Sequence, residues 1–207
     1  SQFDGLLAIS RTVRDELRCV LPKNRNCFLD YFPMGSDIQV EKYNLVNNNL
    51  SSNINFLMVG TLEPRKGHID TLKAFDILFK KVKNITLTII GKRGWLDDDL
   101  YEMIIGHDLF NQKIFYHDKV SDEELISFYQ KSNCLISASY AEGYGLPIIE
   151  AASHNLPVIA RDIDVFKEVG KNSIFYSKMT TPDLLSSDIL RWLKLYSLNK
   201  IPDISRL

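Results

Sequence analysis

From residue 54 onward, short apolar runs rich in β-branched residues alternate with longer segments of helical periodicity. Repeated units of this kind are typical of a parallel sheet whose strands are joined by helices. Most runs are continuously apolar, as expected for strands buried on both faces. Six strands are predicted, at residues 55–60, 85–91, 113–117, 134–139, 157–160 and 173–176. The chain is therefore predicted to be an α/β protein with helices on both faces of a parallel sheet.

The helices between these strands are predicted at residues 68–82, 97–109, 121–132, 146–154, 164–169 and 181–198. Ser121 and Glu124 form a Ser-x-x-Glu capping box, which fixes the start of the third helix. The spacing of four aromatic residues indicates core positions with no part in any chemistry. These are Tyr101, Phe128, Tyr129 and Trp192.

The first 46 residues predict a separate piece of structure. It contains a strand at residues 5–9, a helix with Ser10 as its N-cap, and a strand near residues 28–32. Residues 47–53 are polar, turn-rich and without periodicity, which is typical of a linker. We expect residues 1–46 to be the tail of one domain and residues 54–207 to be a second domain. Since no methionine begins the sequence, we expect an excised piece of a longer protein.

Composition and charge argue against several classes of function. The net charge of -1 gives no overall basic surface, so no nucleic-acid partner is expected. No run reaches the roughly 18 apolar residues of a membrane span, although lysine clusters leave peripheral membrane contact open. The three cysteines lack metal-ligand spacing and predict reduced packing residues of a cytoplasmic protein. Asp97, Asp98 and Asp99 are better explained as a helix start than as metal ligands, so no metal is expected.

Open parallel sheets bind ligands beyond the carboxyl ends of their strands, so the residues that follow each strand are candidates for a site. Residues 60–67 follow the first strand of the second domain and include Arg65 and Lys66. Glycines in this segment permit close approach of the backbone, and two adjacent cations suit an anion such as phosphate. A solvated basic turn explains the segment equally well when it is considered alone.

Residues 142–150 follow the fourth strand and indicate a second anion-binding segment. Gly143 and Gly145 leave backbone N–H groups bare, and Pro147 suits the first turn of a helix whose N-terminus favours negative charge. Glu142 and Glu150 flank these residues. Carboxylates beside an anion site are suited to accept hydrogen bonds from sugar hydroxyls rather than to bind phosphate.

Both segments resemble motifs of the retaining family 4 glycosyltransferases. Residues 142–150 resemble the Glu-x7-Glu motif, and residues 60–67 resemble the phosphate-binding segment upstream of it. Residues 54–200 are similar to the Rossmann-like C-terminal donor domain of the GT-B architecture, and residues 5–37 are similar to the end of its N-terminal acceptor domain. Three segments further resemble mannosyltransferases of bacterial surface polysaccharide assembly, at residues 32–37, 91–95 and 162–166.

The resemblance implies a role for each matched residue. Arg65 and Lys66 would neutralise the diphosphate of a nucleotide sugar, Glu142 would contact the transferred sugar, and these three are the implied catalytic residues. Glu150 would bind the ribose. The implied donor-binding residues are Gly60, Thr61, Arg65, Lys66, Gly91, Lys92, Lys119, Val120, Glu142, Gly143, Tyr144, Gly145, Leu146 and Glu150.

The resemblance also implies a reaction and its partners. The donor would be a nucleotide sugar, with GDP-mannose the best match and UDP- and dTDP-sugars open, and no cofactor would be needed. The acceptor, a glycan of a surface polysaccharide or lipopolysaccharide or its lipid-linked form, would bind the missing N-terminal domain, at the inner face of the membrane. A nucleotide-sugar epimerase of the same architecture and a non-catalytic nucleotide-binding module remain alternatives. A dinucleotide oxidoreductase is disfavoured because no Gly-x-Gly-x-x-Gly follows the first strand.

Overall fold

The computed structural model describes residues 4–21, 27–35, 53–94 and 98–207. The first part is a strand–helix–strand unit made of β1 (Gly5–Ala8), α1 (Arg11–Val20) and β2 (Phe28–Tyr31), in which the two strands pair in parallel. Most of the predicted linker, residues 47–52, and Asp97 lie outside the described residues. The predicted domain boundary therefore stays a prediction.

A sheet of six parallel strands forms the centre of the second part, as predicted. Its strands are β3 (Ile54–Val59), β4 (Ile85–Ile90), β5 (Ile114–His117), β6 (Cys134–Ser137), β7 (Val158–Arg161) and β8 (Phe175–Ser177). They lie in the order β5-β4-β3-β6-β7-β8, and every neighbouring pair is parallel. This is the strand order of a doubly wound nucleotide-binding sheet.

Among the described residues, six α-helices cover the two faces of this sheet. They are α2 (His68–Phe79), α3 (Asp98–Ile105), α4 (Asp122–Lys131), α5 (Leu146–Ser153), α6 (Asp164–Gly170) and α7 (Pro182–Ser197). Because strand side chains alternate between faces, Phe56 packs in one apolar cluster with α2, α3 and α7, whereas Leu57 packs in a second with α4, α5 and α6. Trp192 and Tyr129 are fully buried, one in each cluster, which confirms their core positions.

The ends of the predicted elements differ from the observed ones mainly at the second predicted helix of this domain. That helix was expected to reach residue 109, but α3 ends at Ile105. Residues 107–109 instead form a turn in which the Leu109 N–H donates to His107 Nδ1 at 3.0 Å. The capping box of α4 is confirmed, with reciprocal bonds between Ser121 and Glu124. Cys19 is exposed on α1, so its predicted packing role is wrong.

The strand–helix–strand unit is attached to the larger sheet through α6. The Ser10 hydroxyl accepts from the Val13 N–H at 3.1 Å, which confirms the predicted N-cap. The Glu168 carboxylate of α6 accepts from the N–H groups of Arg11 and Thr12, both at 2.8 Å. These bonds satisfy N–H groups that a helix start otherwise leaves open. Within the described residues, none of the helices has the length and apolar character needed to cross a membrane.

Candidate functional site

A crevice opens at the carboxyl edge of the sheet, where the strand order reverses between β3 and β6. The two strands pair at only two positions, Phe56 with Cys134 and Leu57 with Leu135. Beyond these positions their carboxyl ends separate. The cleft between them is lined by Met58 and Val59 of β3, by residues 136–139 and by Lys66, Glu142, Gly145, Pro147 and Phe166. Such a switch point is where open α/β sheets bind their ligands.

The segment after β3 meets the segment after β6 through backbone contacts that require glycine. Gly67 has a φ of 73°, and a Cβ there would lie 2.4 Å from the Ala138 carbonyl oxygen. The Tyr140 N–H donates to the Arg65 carbonyl at 2.7 Å. Because the two segments touch along their backbones, the side chains of residues 65 and 66 are brought to residue 142.

Both predicted cations bind the carboxylate of Glu142. Lys66 Nζ contacts Oε1, and Arg65 Nη1 lies 3.1 Å from Oε2. The Ser139 hydroxyl donates to Oε1 at 2.8 Å. Arg65 Nε also pairs with Glu63 at 2.7 Å. The cluster thus contains two cations and two carboxylates, and its formal charges cancel.

The positions of these charges stabilise the ionised forms. Burial raises the pKa of Glu142, but the hydrogen bond and charge of Lys66, with help from Ser139 and Arg65, outweigh burial and hold the pKa below its ordinary value. Burial lowers the pKa of Arg65, and Glu142 and Glu63 outweigh it, so this pKa is raised. Lys66 and Glu142 are 14% and 11% exposed, so solvent screens their attraction only in part.

Residues 143–146 bring a helix start to the same crevice. Gly145 is the N-cap of α5 with a φ of 103°, and a Cβ there would lie 2.9 Å from the Phe166 ring. A glycine cap has no side chain to bond the first N–H groups of the helix, which begins at Leu146. Ile9 of the N-terminal unit lies against Gly143. The N-terminus of α5 therefore adds positive potential beside Lys66.

The remaining predicted donor-binding residues lie along the same edge, at different distances from the crevice. A Cβ on Gly91 would lie 1.8 Å from the Gly60 carbonyl oxygen. The Lys92 carbonyl accepts from the Leu62 N–H at 2.9 Å. Residues 91–92 therefore adjoin residues 60–62, which include Thr61. Lys119 and Val120 follow the edge strand β5, and no hydrogen bond in the described residues joins them to the cations.

Two predicted side chains face the helices instead of the cations. Tyr144 packs against the apolar cluster of α4, α5 and α6. Glu150, one turn into α5, is half-buried, and its Oε2 accepts from the Tyr129 hydroxyl at 2.5 Å. Glu142 and Glu150 thus have different partners, and their predicted roles stay predictions.

Sequence reasoning missed the side chains that support the loop carrying Glu142. Arg161 is 6% exposed; its Nε donates to the Ala138 carbonyl at 2.9 Å and its Nη1 to the Met179 carbonyl at 2.6 Å. Its guanidinium lies 3.9 Å from the ring centroid of Tyr140. An arginine at the carboxyl end of an apolar strand was the available signal. In the part of the chain that the structure describes, no group of three or more potential metal ligands occurs.

A doubly wound sheet with glycine-lined backbone, paired cations and a bare helix start at its switch point defines a Rossmann-like domain suited to a phosphorylated ligand. The chain belongs to the family described as "Glycosyl transferases group 1", which matches residues 42–203. The predicted resemblance to a glycosyltransferase family is confirmed, and so is the GT-B type of fold.

A curated relative and two solved structures are also similar to this chain. The serotype-specific mannosyltransferase WbdA of Escherichia coli is 37% identical over 214 residues, which are 96% of this chain and 26% of WbdA. The chain thus spans about a quarter of that relative. The crystal structure of Anabaena HepE in complex with UDP and glucose superposes with a TM-score of 0.75 at 17% identity, covering 97% of this chain and 56% of HepE. The C-terminal domain of a group 1 glycosyl transferase, LpcC of Francisella tularensis, superposes with a TM-score of 0.62 at 20% identity. The superposition covers 72% of this chain and 80% of that domain.

The ion pairs of Glu142 predict a pH-dependent contribution to stability. The pKa of this carboxyl in the folded protein is below its ordinary value of 4.5. Its contribution to the free energy of unfolding is therefore complete above pH 4.5 and is lost as the pH falls through the lowered pKa. We expect Glu142→Gln to reduce the free energy of unfolding by about 1 to 3 kcal/mol at neutral pH. The difference from the unsubstituted chain should shrink below about pH 4.

Urea unfolding of both proteins at neutral and acidic pH measures this difference. Glu16→Gln, on the exposed side of α1, is the matched control and should show no such pH dependence. A Glu142→Gln deficit of equal size at both pH values would contradict the ion-pair explanation.

Proposed function

We propose that the chain is the donor-binding domain of a retaining glycosyltransferase that uses GDP-mannose to extend a surface polysaccharide or lipopolysaccharide glycan. The observation that carries this proposal is the pairing of Lys66 and Arg65 with Glu142 at the switch point. Membership of the group 1 family supports glycosyl transfer. The 37% identity to a mannosyltransferase supports mannose as the transferred sugar.

In this proposal, the diphosphate of the donor replaces Glu142 as the partner of the cations. A diphosphate carries more charge and more acceptor oxygens than one carboxylate, so it competes effectively for Lys66 and Arg65. The backbone N–H groups at the start of α5, after Gly145, would bind a phosphate oxygen. Glu142, released from both cations, would then accept a hydrogen bond from a hydroxyl of the sugar.

The proposed reaction is a front-face substitution at the anomeric carbon. The acceptor hydroxyl oxygen forms the new bond on the face from which the diphosphate oxygen leaves, and the bond from the anomeric carbon to that oxygen breaks. The hydroxyl proton passes to the departing diphosphate. Lys66, Arg65 and the α5 N-terminus stabilise the charge that develops on the leaving group. Glu150 would hold the ribose, and residues 91–92 and 119–120 would border the base.

The proposal assigns the acceptor to a second domain, of which residues 1–46 would be the tail. The contact of Ile9 with Gly143 and the bonds of Glu168 to α1 support this assignment, because they join residues 9–12 to segments at the carboxyl edge of the larger sheet. Transfer needs the acceptor hydroxyl held beside the leaving oxygen, and such positioning can contribute roughly 7 to 11 kcal/mol. Since the acceptor is a lipid-linked glycan in this proposal, the enzyme would work at the cytoplasmic face of the membrane.

The donor and the stereochemistry are tested together. The chain, joined to an acceptor-binding domain, is incubated with a lipid-linked glycan and one of GDP-mannose, UDP-glucose or a dTDP-sugar. We expect GDP-mannose to be consumed and NMR of the product to show the anomeric configuration of the donor. Preference for another donor would correct the substrate, and an inverted configuration would contradict the front-face mechanism.

The diphosphate contact is tested by removing each cation. We expect Lys66→Ala and Arg65→Ala to weaken GDP binding by about 1.5 to 3 kcal/mol, the usual value of hydrogen bonds to charged groups, while guanosine binding is unchanged. Arg65→Ala should lie at the lower end because that side chain is 47% exposed. Titration calorimetry or ligand-observed NMR gives both affinities.

Lys80→Ala, which removes an exposed lysine at the end of α2, is the matched control and should leave GDP binding intact. If both variants of the cluster kept the full preference for diphosphate over nucleoside, the cations would be part of a turn and not of a ligand site.

A further inference from the structure

Tyr129 of α4 is a buried aromatic residue whose hydroxyl bonds a half-buried carboxylate. Its side chain is 1% exposed and belongs to the apolar cluster that includes Leu57, Leu135 and Ile148. From this position the hydroxyl donates to Glu150 Oε2 on the neighbouring helix at 2.5 Å. Packing alone would be served equally well by phenylalanine, so the hydroxyl needs an explanation of its own.

The hydroxyl of Tyr129 acts only as a donor in this bond. Burial, followed by the charge and the hydrogen bond of Glu150, raises its pKa well above the ordinary value. The phenol therefore stays protonated, and a carboxylate oxygen can only accept. A buried donor with a single charged acceptor is a strong and directional contact.

The ring of Tyr129 also stacks against a histidine. His154 stacks on it with a centroid distance of 5.6 Å and an interplanar angle of 16°. His154 is itself buried, and burial lowers its pKa, so the stacked imidazole is neutral at physiological pH. Packing therefore fixes the tyrosine ring, so its hydroxyl keeps a constant position relative to Glu150.

This contact leaves one oxygen of Glu150 available. Oε1 makes no hydrogen bond within the described residues, and the side chain is only half-buried. Glu150 lies about one turn after Gly145, where α5 borders the crevice, and the side chains of a helix incline toward its N-terminus.

We propose that Tyr129 is a positioning residue that fixes the Glu150 carboxylate with Oε1 directed at the ribose of a bound nucleotide. The proposal rests on the proposed function, which assigns Glu150 to the ribose hydroxyls. Without the Tyr129 bond the carboxylate rotates freely and loses rotational entropy on binding, so the contact with the ribose weakens while the diphosphate contacts at Lys66 and Arg65 are unaffected.

The test measures the affinity of the 207-residue chain for GDP and for its 2′,3′-dideoxy analogue, with the corresponding uridine nucleotides in parallel. For Tyr129→Phe we expect GDP affinity to fall about tenfold, as for the loss of a hydrogen bond to a charged group. Affinity for the dideoxy analogue should stay the same. Only a hydroxyl is removed, so the thermal unfolding midpoint should move by only a few degrees.

Tyr196→Phe is the matched control. This tyrosine is 5% exposed in the opposite apolar cluster, and its hydroxyl accepts from Asn133 Nδ2 at 3.3 Å. Its loss should change neither affinity. Equal loss of GDP and dideoxy affinity in Tyr129→Phe, or no loss of either, would overturn the positioning role.

Glu150→Gln separates failure of this inference from failure of the proposed function. If the unsubstituted chain binds both nucleotides equally and Glu150→Gln changes neither affinity, the ribose assignment is wrong and the role of Tyr129 is wrong with it. If Glu150→Gln weakens only GDP binding and Tyr129→Phe matches the unsubstituted chain, the ribose assignment holds and only the positioning role fails.

Discussion

Strands β3 and β6 are joined at only two paired positions, and the meeting of Lys66 and Arg65 with Glu142 depends on the separation of their carboxyl ends. Strands β4 and β5, which follow β3 in the sequence, lie on one side of β3 within the sheet, and β6 lies on its other side. The segments that follow β3 and β6 therefore face each other across a crevice. Backbone contact at Gly67 then brings Lys66 within reach of Glu142. A larger residue at position 67 would meet the Ala138 carbonyl and push these segments apart.

Glu142 gives the cations a partner when no ligand is bound. Two cations packed beside a helix N-terminus would repel each other and destabilise the fold. The carboxylate offsets that repulsion and keeps Lys66 directed into the crevice. In the proposed function, a ligand would displace this internal anion, which would favour a group of higher charge, such as a diphosphate, over singly charged competitors.

Much of the fold and part of the site follow from the sequence. Six strands, the start of α4 at Ser121 and the cap of α1 at Ser10 were predictable because periodicity and capping are local signals. The direct pairing of Lys66 with Glu142 was not predictable, because the two residues are 76 positions apart and a spacing carries no information on which charges meet. Tyr129 was correctly predicted as a core residue. Hydrophobic periodicity indicates that its ring is buried, but it does not reveal which group its hydroxyl bonds.

In the proposed function, the paired cations at the switch point bind the diphosphate of a nucleotide. A crystal structure of the chain soaked with GDP would show whether they do. We expect a phosphate oxygen at about 2.7 to 2.9 Å from Lys66 Nζ, the usual length of such a bond, with the Glu142 carboxylate moved away from that nitrogen. A nucleotide bound elsewhere, with the Lys66–Glu142 pair intact, would contradict it.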